Sequence, residues 1–382
     1  MKRFIAVLLV FMLAFSFWSV SVRAADFTEE ISAKSAILMD AATGMVLFEY
    51  NADEALPPAS VTKIMTLLLV FEALDNGTIN LTDMVSVSEH AASMGGSQIY
   101  LEPGEQMSVD ELIKSVVVSS ANDAATALAE YVAGSESSFV ARMNERAKEI
   151  GMENTHFENT NGLDDTSENH VTSARDIAIM SRELMTHKKI FDYTTIWMDT
   201  VRNGTFGLSN TNRLLRTYSG CTGLKTGSTA KAKFCISATA ERNGLHLIAV
   251  IMGSPTRDER NALAAKMLDW GFANYAMFSD TDGTMDDISV TGGVKNTLSV
   301  KHEAFETVVE KGAVSKIETV YDVPETIAAP VKAGEKVGTV IFKSGDTVLG
   351  TADIVAAESV EKIGFLTLLP RILRWMLCSP EI

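Results

Sequence analysis

Ser60 and Lys63 form the first pattern in this 382-residue sequence whose residue types and spacing could carry chemistry. A serine hydroxyl is a weak nucleophile at neutral pH, and an adjacent lysine that is held neutral can accept its proton. Residues three apart on a helix share a face, so these two side-chain ends can meet. Two prolines precede the pair and an apolar run follows it to Leu74, which predicts a largely buried helix that starts close to Ser60.

This spacing alone is weak evidence, because Ser-x-x-Lys recurs at Ser228 with Lys231 and at Ser359 with Lys362. Most such pairs are exposed residues of helices or loops. Ser60 differs in its setting, since a polar pair at the start of an apolar helix is costly to bury without a purpose.

A second polar pattern, Ser120 with Asn122, lies at the junction of two helical patterns. Serine and asparagine are favoured at helix N-termini, so a cap for the helix that begins at Asp123 explains the pattern equally well. Taken alone, the pattern therefore does not indicate a function.

A third pattern, formed by Lys225, Thr226 and Gly227, occurs once in the sequence and falls on a predicted strand just before a hairpin turn. Glycine within a strand often marks the close approach of a ligand or of another backbone segment. The neighbouring lysine offers a cation for an anionic substrate end. The alternative is a plain hairpin with an exposed lysine.

The elements that must position these residues follow from the apolar periodicity. From Ala36 to Asn51, two apolar strands flank an Ala-Thr-Gly turn, which predicts a hairpin. Helical patterns cover 108–119, 122–133, 137–150, 173–186 and 258–275, and a polar loop covers 158–169. Strands are predicted at 222–228, 234–240 and 245–252. Strands at both ends with helices between them predict an α+β domain, in which helices pack on an antiparallel sheet.

We predict four segments, 1–24, 25–278, 279–358 and 359–382. The first has Lys2 and Arg3, an apolar run and small residues near its end, as in a signal peptide that is removed on export; a retained anchor is the alternative. The second is the α+β domain. The third has short β-branched runs separated by Gly, Asp and Pro, which predicts a small all-β domain.

The last segment predicts an amphipathic helix. Arg371 and Arg374 lie at helical spacing on one face, apolar residues lie largely on the others, and Trp375 follows. A basic amphipathic helix of this kind suits a membrane surface. A terminal helix that packs on the β domain or in a dimer is the alternative, and Pro370 argues against one straight helix.

The formal net charge of −16 disfavours nucleic acid as a partner, because phosphate binding needs clustered Lys and Arg. A basic active site would therefore stand out as a local exception. Cys221, Cys235 and Cys378 are too few and too scattered for a disulfide scaffold, and whether the first two pair stays open. No spacing indicates a metal site, and we predict no cofactor.

In this order and in these contexts, the three patterns resemble the signature of penicillin-binding proteins and serine β-lactamases. More of the chain is similar to the low-molecular-mass D-alanyl-D-alanine carboxypeptidases. The similar segments are 57–66 around the nucleophile, 223–229 around the third pattern, 161–163, 170–176, 329–334 in the β domain, and the amphipathic tail. The resemblance implies a serine β-lactamase/transpeptidase-like domain followed by a small β domain.

The resemblance also implies a reaction on the pentapeptide stems of peptidoglycan, at the outer face of the cytoplasmic membrane or in the cell wall. Ser60 would attack the carbonyl of the penultimate D-alanine, and Lys63 would accept its proton. Ser120 would relay a proton to the leaving D-alanine, and Asn122 would hold the substrate amide. β-Lactams would acylate the same serine.

Residues of the third pattern would recognise the end of the substrate. Lys225 would set the field for the terminal carboxylate, Thr226 would donate a hydrogen bond to it, and Gly227 would permit its close approach. The backbone amides of Ser60 and Ser228 would form an oxyanion hole. An unperturbed lysine cannot act as a base at neutral pH, so burial and the charge of Lys225 must lower the pKa of Lys63.

The sequence disfavours three other functions. A β-lactamase shares the three patterns, but neither Glu158 nor Glu168 stands in the Glu-x-x-Leu-Asn pattern of that family. The β domain and basic tail predicted for this chain also have no place in the β-lactamase family. A catalytically silent wall-binding or signalling protein would not need the intact set of polar residues. A Ser-His-Asp hydrolase is disfavoured because the sequence has no Gly-x-Ser-x-Gly elbow. Cleavage of cross-linked peptides and a role in growth or sporulation stay open.

Overall fold

A computed structural model describes residues 26–164, 168–281, 283 and 285–378. The predicted signal peptide at 1–24 lies outside these residues. The described chain forms two compact units, Asp26–Asn274 and a second unit that starts at Tyr275, and each is described by itself.

The first unit contains both helices and strands. In chain order its elements are β1 Ser35–Asp40, β2 Val46–Tyr50, a 3-10 turn at Ala59–Thr62, α1 Lys63–Asp75, β3 Met84–Ser86, α2 Glu89–Ala92, β4 Gln106–Ser108, α3 Val109–Val118, α4 Asn122–Ala133, α5 Glu136–Glu149, α6 Ala174–Leu184, a 3-10 turn at Lys188–Ile190, α7 Phe191–Thr194, β5 Met198–Val201, β6 Phe206–Ser209, α8 Leu214–Thr217, β7 Cys221–Thr229, β8 Lys233–Arg242, β9 Leu245–Ser254 and α9 Arg257–Asn274.

An antiparallel five-stranded sheet in the order β2-β1-β9-β8-β7 joins the two ends of this unit. Ser35 pairs with Met252 across β1 and β9, so the N-terminal hairpin completes a sheet whose other strands come last in the unit. Strand β7 is at one edge of the sheet, and Gly227 pairs there with Cys235 of β8. The third polar pattern therefore lies on an edge strand, where it can face another element.

Helix α1 fills the interior of the first unit. All of its side chains from Lys63 to Phe71 are buried, as expected for a helix that is apolar on nearly every face. It packs against α4, α5 and α6. This packing fixes Lys63, the first residue of the helix, deep in the protein.

The second unit is mainly β-structure. Its elements are β10 Tyr275–Asp280, β11 Ile288–Thr291, β12 Thr297–Leu298, β13 Val300–His302, β14 Phe305–Glu310, a 3-10 turn at Lys311–Lys316, β15 Ile317–Asp322, β16 Thr326–Ala328, β17 Lys336–Ser344, β18 Thr347–Ala356 and helix α10 Phe365–Cys378. The largest sheet has the order β13-β18-β17-β15. Its core contains Leu298, Val340, Phe342 and Ile354, each almost without solvent exposure.

The predicted fold class, an α+β domain followed by a small β domain, is confirmed. Two of the predicted boundaries differ in the structure. Strand β10 pairs with β14, so the predicted boundary at 278/279 falls inside this strand. Val360 is buried and pairs with Val331, so the β unit continues past 358. Helix α10 begins only at Phe365 and contains Pro370.

No helix among the described residues is both long enough and apolar enough to cross a membrane.

Candidate active site

Ser60 lies in the 3-10 turn that precedes α1, and the α-helix proper begins at Lys63. Residues Ala59–Thr62 form this turn, and Ala59, directly before the serine, has a φ of +49°, in the left-handed region. The turn still places the two side chains together, with Lys63 Nζ 2.9 Å from Ser60 Oγ.

Lys63 Nζ has two further neighbours, and both are oxygen atoms that can only accept a hydrogen bond. Asn122 Oδ1 lies at 2.6 Å and the carbonyl oxygen of Asn161 at 2.7 Å. A neutral amine has two N–H groups and one lone pair. Because the two acceptors engage both N–H groups, the lone pair is left for the hydroxyl of Ser60.

The surroundings of Lys63 favour this neutral form. The side chain is fully buried, and its pKa is held well below that of a free lysine, first by loss of hydration and second by the charge of Lys225. Asp123 opposes the shift but does not cancel it.

Lys225 and Ser120 form a second buried pair. Lys225 Nζ donates to Ser120 Oγ at 2.9 Å and to the carbonyl of Thr226 at 3.0 Å. Burial, and then the charge of Arg260, lowers the pKa of Lys225 to about 7. Ser120 itself has a φ of +62°, so its hydroxyl is held beside Lys225 at some conformational cost.

Strand β7 approaches the turn that carries Ser60 very closely. A Cβ atom on Gly227 would lie 2.8 Å from the backbone nitrogen of Ser60 and 2.9 Å from that of Val61. A glycine is therefore required at this position. The next residue, Ser228, is exposed at the mouth of the site.

A cavity of about 430 Å³ opens over Ser60. Ser120, Thr226, Gly227 and Ser228 also line it, whereas Lys63, Asn122 and Lys225 lie behind its wall. The structure thus brings all eight predicted residues together, in an outer layer and a buried one.

Three arginines that the sequence analysis did not single out line the same cavity: Arg213, Arg257 and Arg260. Arg260 is only 2% exposed, and within the described part of the chain no carboxylate pairs with it. Its guanidinium donates to the carbonyl of Cys235 and to the side chain of Asn261. In a chain of net charge −16, this cluster is the local basic exception that a site for an anionic substrate requires.

Asn161 was also not assigned a role from the sequence, although it was noted in a similar segment. Its carbonyl binds Lys63 through the backbone, and a backbone contact leaves no signal in the residue type. Among the described residues, no group of three or more His, Cys, Asp or Glu side chains could hold a metal ion. Cys221 and Cys235 are free thiols.

A buried lysine in contact with a serine, beside a cavity lined by three arginines, is typical of serine acyl-transfer enzymes that use lysine as the base. The model of the D-alanyl-D-alanine carboxypeptidase family matches residues 20–256, and that of the C-terminal domain of penicillin-binding protein 5 matches residues 275–362. The chain belongs to the D-alanyl-D-alanine carboxypeptidase family.

Relatives and solved structures agree with this assignment. D-alanyl-D-alanine carboxypeptidase DacF of Bacillus subtilis is 41% identical, over 97% of this chain and 98% of the relative. DacC of Escherichia coli is 36% identical, over 88% of this chain and 86% of the relative. The structure of penicillin-binding protein 5 from Haemophilus influenzae is similar with a TM-score of 0.75 and 31% identity, over 88% of this chain and all of that one.

The protein is therefore a serine-type D-alanyl-D-alanine carboxypeptidase. It removes the terminal D-alanine from peptidoglycan stems through an acyl-enzyme and binds β-lactams covalently, as is standard for this family. Its peptidoglycan substrate places its activity in the periplasm or cell wall.

Proposed function

We propose that Ser60 is the nucleophile of this carboxypeptidase and Lys63 its general base. The observation that carries the proposal is the hydrogen-bond arrangement around Lys63 Nζ, in which two acceptors engage the N–H groups of the neutral amine. The remaining lone pair faces Ser60 Oγ at 2.9 Å, within reach for direct proton transfer.

After attack on the penultimate D-alanine, the negative oxygen of the tetrahedral intermediate requires hydrogen-bond donors. The backbone N–H groups of Ser60 and Ser228 are our candidates for these donors. An added Cβ on Gly227 would lie 2.8 Å from the nitrogen of Ser60, which places β7 alongside the amide of the nucleophile and supports this proposal.

The leaving amine of D-alanine must receive a proton. We assign this step to Ser120, whose hydroxyl lines the cavity and contacts Lys225. Lys225 can supply a proton to Ser120 near neutral pH, because its pKa is lowered to about 7.

Asn122 holds Lys63 through its Oδ1 atom and donates from Nδ2 to the carbonyl of Gly95. To hold the substrate amide, as the resemblance implies, it must exchange one of these two partners. We therefore assign Asn122 first to the orientation of Lys63.

For the terminal carboxylate of the substrate, we propose Thr226 and Arg260 as the main ligands. Thr226 lines the cavity; its single O–H donates to the hydroxyl of Thr211, another residue of the cavity wall, and would turn to the carboxylate when the substrate binds. Arg260 provides at the same wall a guanidinium that no carboxylate of the described chain neutralises. Lys225 contributes to the field from behind, since it is buried and does not line the cavity.

The β-lactamase alternative would require a carboxylate near Ser60 that activates water for rapid deacylation. Neither Glu158 nor Glu168 lines the catalytic cavity. Glu158 instead borders a separate cavity, on the side of His90 and Glu136. This arrangement favours a carboxypeptidase whose β-lactam adduct persists.

Replacing the nucleophile tests the proposal directly. Ser60→Ala should abolish both labelling by a fluorescent penicillin and D-alanine release from a pentapeptide stem. Ser228→Ala is the matched control, because its proposed role is carried by the backbone amide, and it should keep activity within about threefold. Labelling of Ser60→Ala would refute the assignment. A cross-linked stem dimer in the same assay would show whether the enzyme is also an endopeptidase.

We further propose that residues 1–24 direct export and that the C-terminal helix holds the enzyme on the membrane surface. Helix α10 exposes Phe365, Leu366 and Met376 at 74%, 85% and 68% of their surface. Apolar exposure of this extent on one helix is typical of an interfacial anchor.

A further inference from the structure

The peptide unit directly before the nucleophile has an unfavourable backbone conformation. Ala59, with its φ of +49°, lies in the left-handed region, where its Cβ is crowded by the backbone. A residue other than glycine remains there only when its surroundings hold it. Ala59 is 1% exposed, so those surroundings are protein groups.

A chain of buried hydrogen bonds ends at the carbonyl of Ala59. The backbone N–H of Glu158 donates to His170 Nδ1 at 3.0 Å, so the proton of the neutral imidazole is on Nε2. That nitrogen lies 2.8 Å from Thr62 Oγ1, and the Thr62 hydroxyl donates to Ala59 O at 2.9 Å. Every donor in the chain therefore has one acceptor.

The carbonyl of Ala59 is enclosed on its other side by the 159–163 loop. A Cβ on Gly162 would lie 1.9 Å from Ala59 O, so only glycine admits the carbonyl there. Thr62 and His170 are 0% and 3% exposed. In such a water-excluded environment, fully satisfied hydrogen bonds specify one arrangement.

We propose that His170 and Thr62 are positioning residues for catalysis, which fix the turn at Ala59 so that the Ser60 hydroxyl faces Lys63 Nζ. The inference rests on the proposed role of Ser60 as nucleophile. Neither residue lines the catalytic cavity, so both act through the backbone of the turn and not on the substrate.

One substitution at Thr62 would break this chain of hydrogen bonds with little change in the shape of the side chain. Thr62→Val replaces the hydroxyl with a methyl group, whereas Thr62→Ser keeps the hydroxyl. We expect Thr62→Val to lower the first-order rate of acylation by penicillin about 10- to 100-fold, because a small displacement of a reacting group is sufficient for such a loss. The penicillin concentration that gives half of the maximal acylation rate should change less than about threefold. Thr62→Ser, which keeps the hydroxyl, should acylate at the wild-type rate.

Thr172→Val is the matched control for a lost buried hydroxyl. Thr172 is 0% exposed and its hydroxyl contacts that of Thr155; its backbone pairs with Leu56, and none of its hydrogen bonds in the described chain reaches Ala59. It should lower the melting temperature as Thr62→Val does and leave the acylation rate unchanged. If Thr62→Val acylates as fast as Thr172→Val, or if serine does not restore the rate, the inference is wrong.

If Thr62→Val does not fold, the comparison is made at His170, on the other side of Thr62 in the chain of hydrogen bonds. His170→Gln retains an N–H that can reach Thr62, and His170→Leu does not. Fast acylation of His170→Gln by penicillin and slow acylation of His170→Leu would support the positioning role, whereas equal rates would refute it. Ser60→Ala separates this inference from the proposed function: a labelled Ser60→Ala refutes both, and an unlabelled Ser60→Ala with normal Thr62→Val refutes the positioning role alone.

Discussion

A buried guanidinium such as that of Arg260 destabilises a protein unless an anion or good hydrogen bonds compensate it. Its burial lowers the pKa of Arg260 to about 10, so it is still charged at neutral pH. Its guanidinium donates hydrogen bonds to the backbone carbonyl of Cys235 and to the side chain of Asn261, and neither acceptor carries a charge. A substrate carboxylate in the cavity would therefore be the counter-ion that completes this site.

Arg260→Gln should weaken recognition of the carboxylate more than it changes the chemistry, because burial, and only second the charge of Arg260, lowers the pKa of Lys225. For a substrate that ends in free D-alanine, we expect kcat/KM to fall about 10- to 100-fold, the range for a lost charge-assisted hydrogen bond. For the same substrate amidated at its end, the change should be under about threefold. Arg242→Gln, which removes an equal charge beside Asp269, should affect neither. Equal losses on both substrates would contradict a role in carboxylate binding.

His170 provides a test of stability against pH. Burial is the main cause that lowers its pKa to about 4. His156, Lys231 and Lys63 make smaller contributions in the same direction, and Asp164 raises the pKa. In the unfolded chain its pKa is about 6.5, so between these values the unfolded state binds more protons. Stability should therefore fall as pH decreases from about 6.5 to about 4, and His170 should contribute nothing further below that.

Urea unfolding of the wild type and of His170→Gln at a series of pH values would isolate this contribution. The difference between the two profiles should reach about 3 kcal/mol at most. His246, whose pKa is also lowered to about 4 by burial, stays in both proteins and cancels in the comparison. Parallel profiles would show that His170 is not neutral and buried as described.

At the scale of elements, the catalytic arrangement depends on the contact between edge strand β7 and the 3-10 turn. Gly227→Ala should force them apart, because the nearest atoms to the new Cβ are backbone atoms that cannot rotate away. We expect acylation by penicillin to slow by at least about tenfold. Gly207→Ala on β6 is the control, since a Cβ there meets no atom within 4 Å. An unchanged rate for Gly227→Ala would mean that β7 does not contribute to the oxyanion hole.

Elements with long periodic patterns were predictable from the sequence. The hairpin, the helices α3 to α6 and the strands β7 to β9 form within a few residues of the predicted bounds. Strands β3 to β6 were missed because each has only three or four residues, too few to show a period. The pairing of β1 with β9 was also not readable, since it joins residues more than 200 positions apart.

The candidate site was predictable where chemistry depends on side-chain type in a short motif, as at Ser60, Lys63 and Lys225. It was not predictable where the fold supplies the group. The carbonyl of Asn161 acts through the backbone, and Arg260 reaches the cavity from a helix 35 residues beyond Lys225. The helix start was predicted slightly early, because the apolar pattern does not distinguish the 3-10 turn at Ala59–Thr62 from the α-helix that follows it.

At the scale of the whole molecule, the net negative charge opposes binding of the C-terminal helix to an anionic membrane. A chain of net charge −16 is repelled by anionic lipid, so attraction must come from basic residues close to the helix. Apolar burial must supply the rest. Since Val360 belongs to the core of the β unit, a chain that removes only the anchor should end at Gly364.

Sedimentation with vesicles rich in anionic lipid would test the anchor. The chain through Ile382 should sediment at low salt, and the chain ending at Gly364 should stay in the supernatant while it still releases D-alanine from small peptides. Leu366→Asp should weaken binding at least about tenfold, because it places a charge on the apolar face of the helix. Thr347→Asp, which adds the same charge at an exposed residue of β18, should bind like the unmodified chain. If all four proteins remain in the supernatant, helix α10 does not anchor the enzyme; if the shortened chain also sediments, another surface binds the lipid.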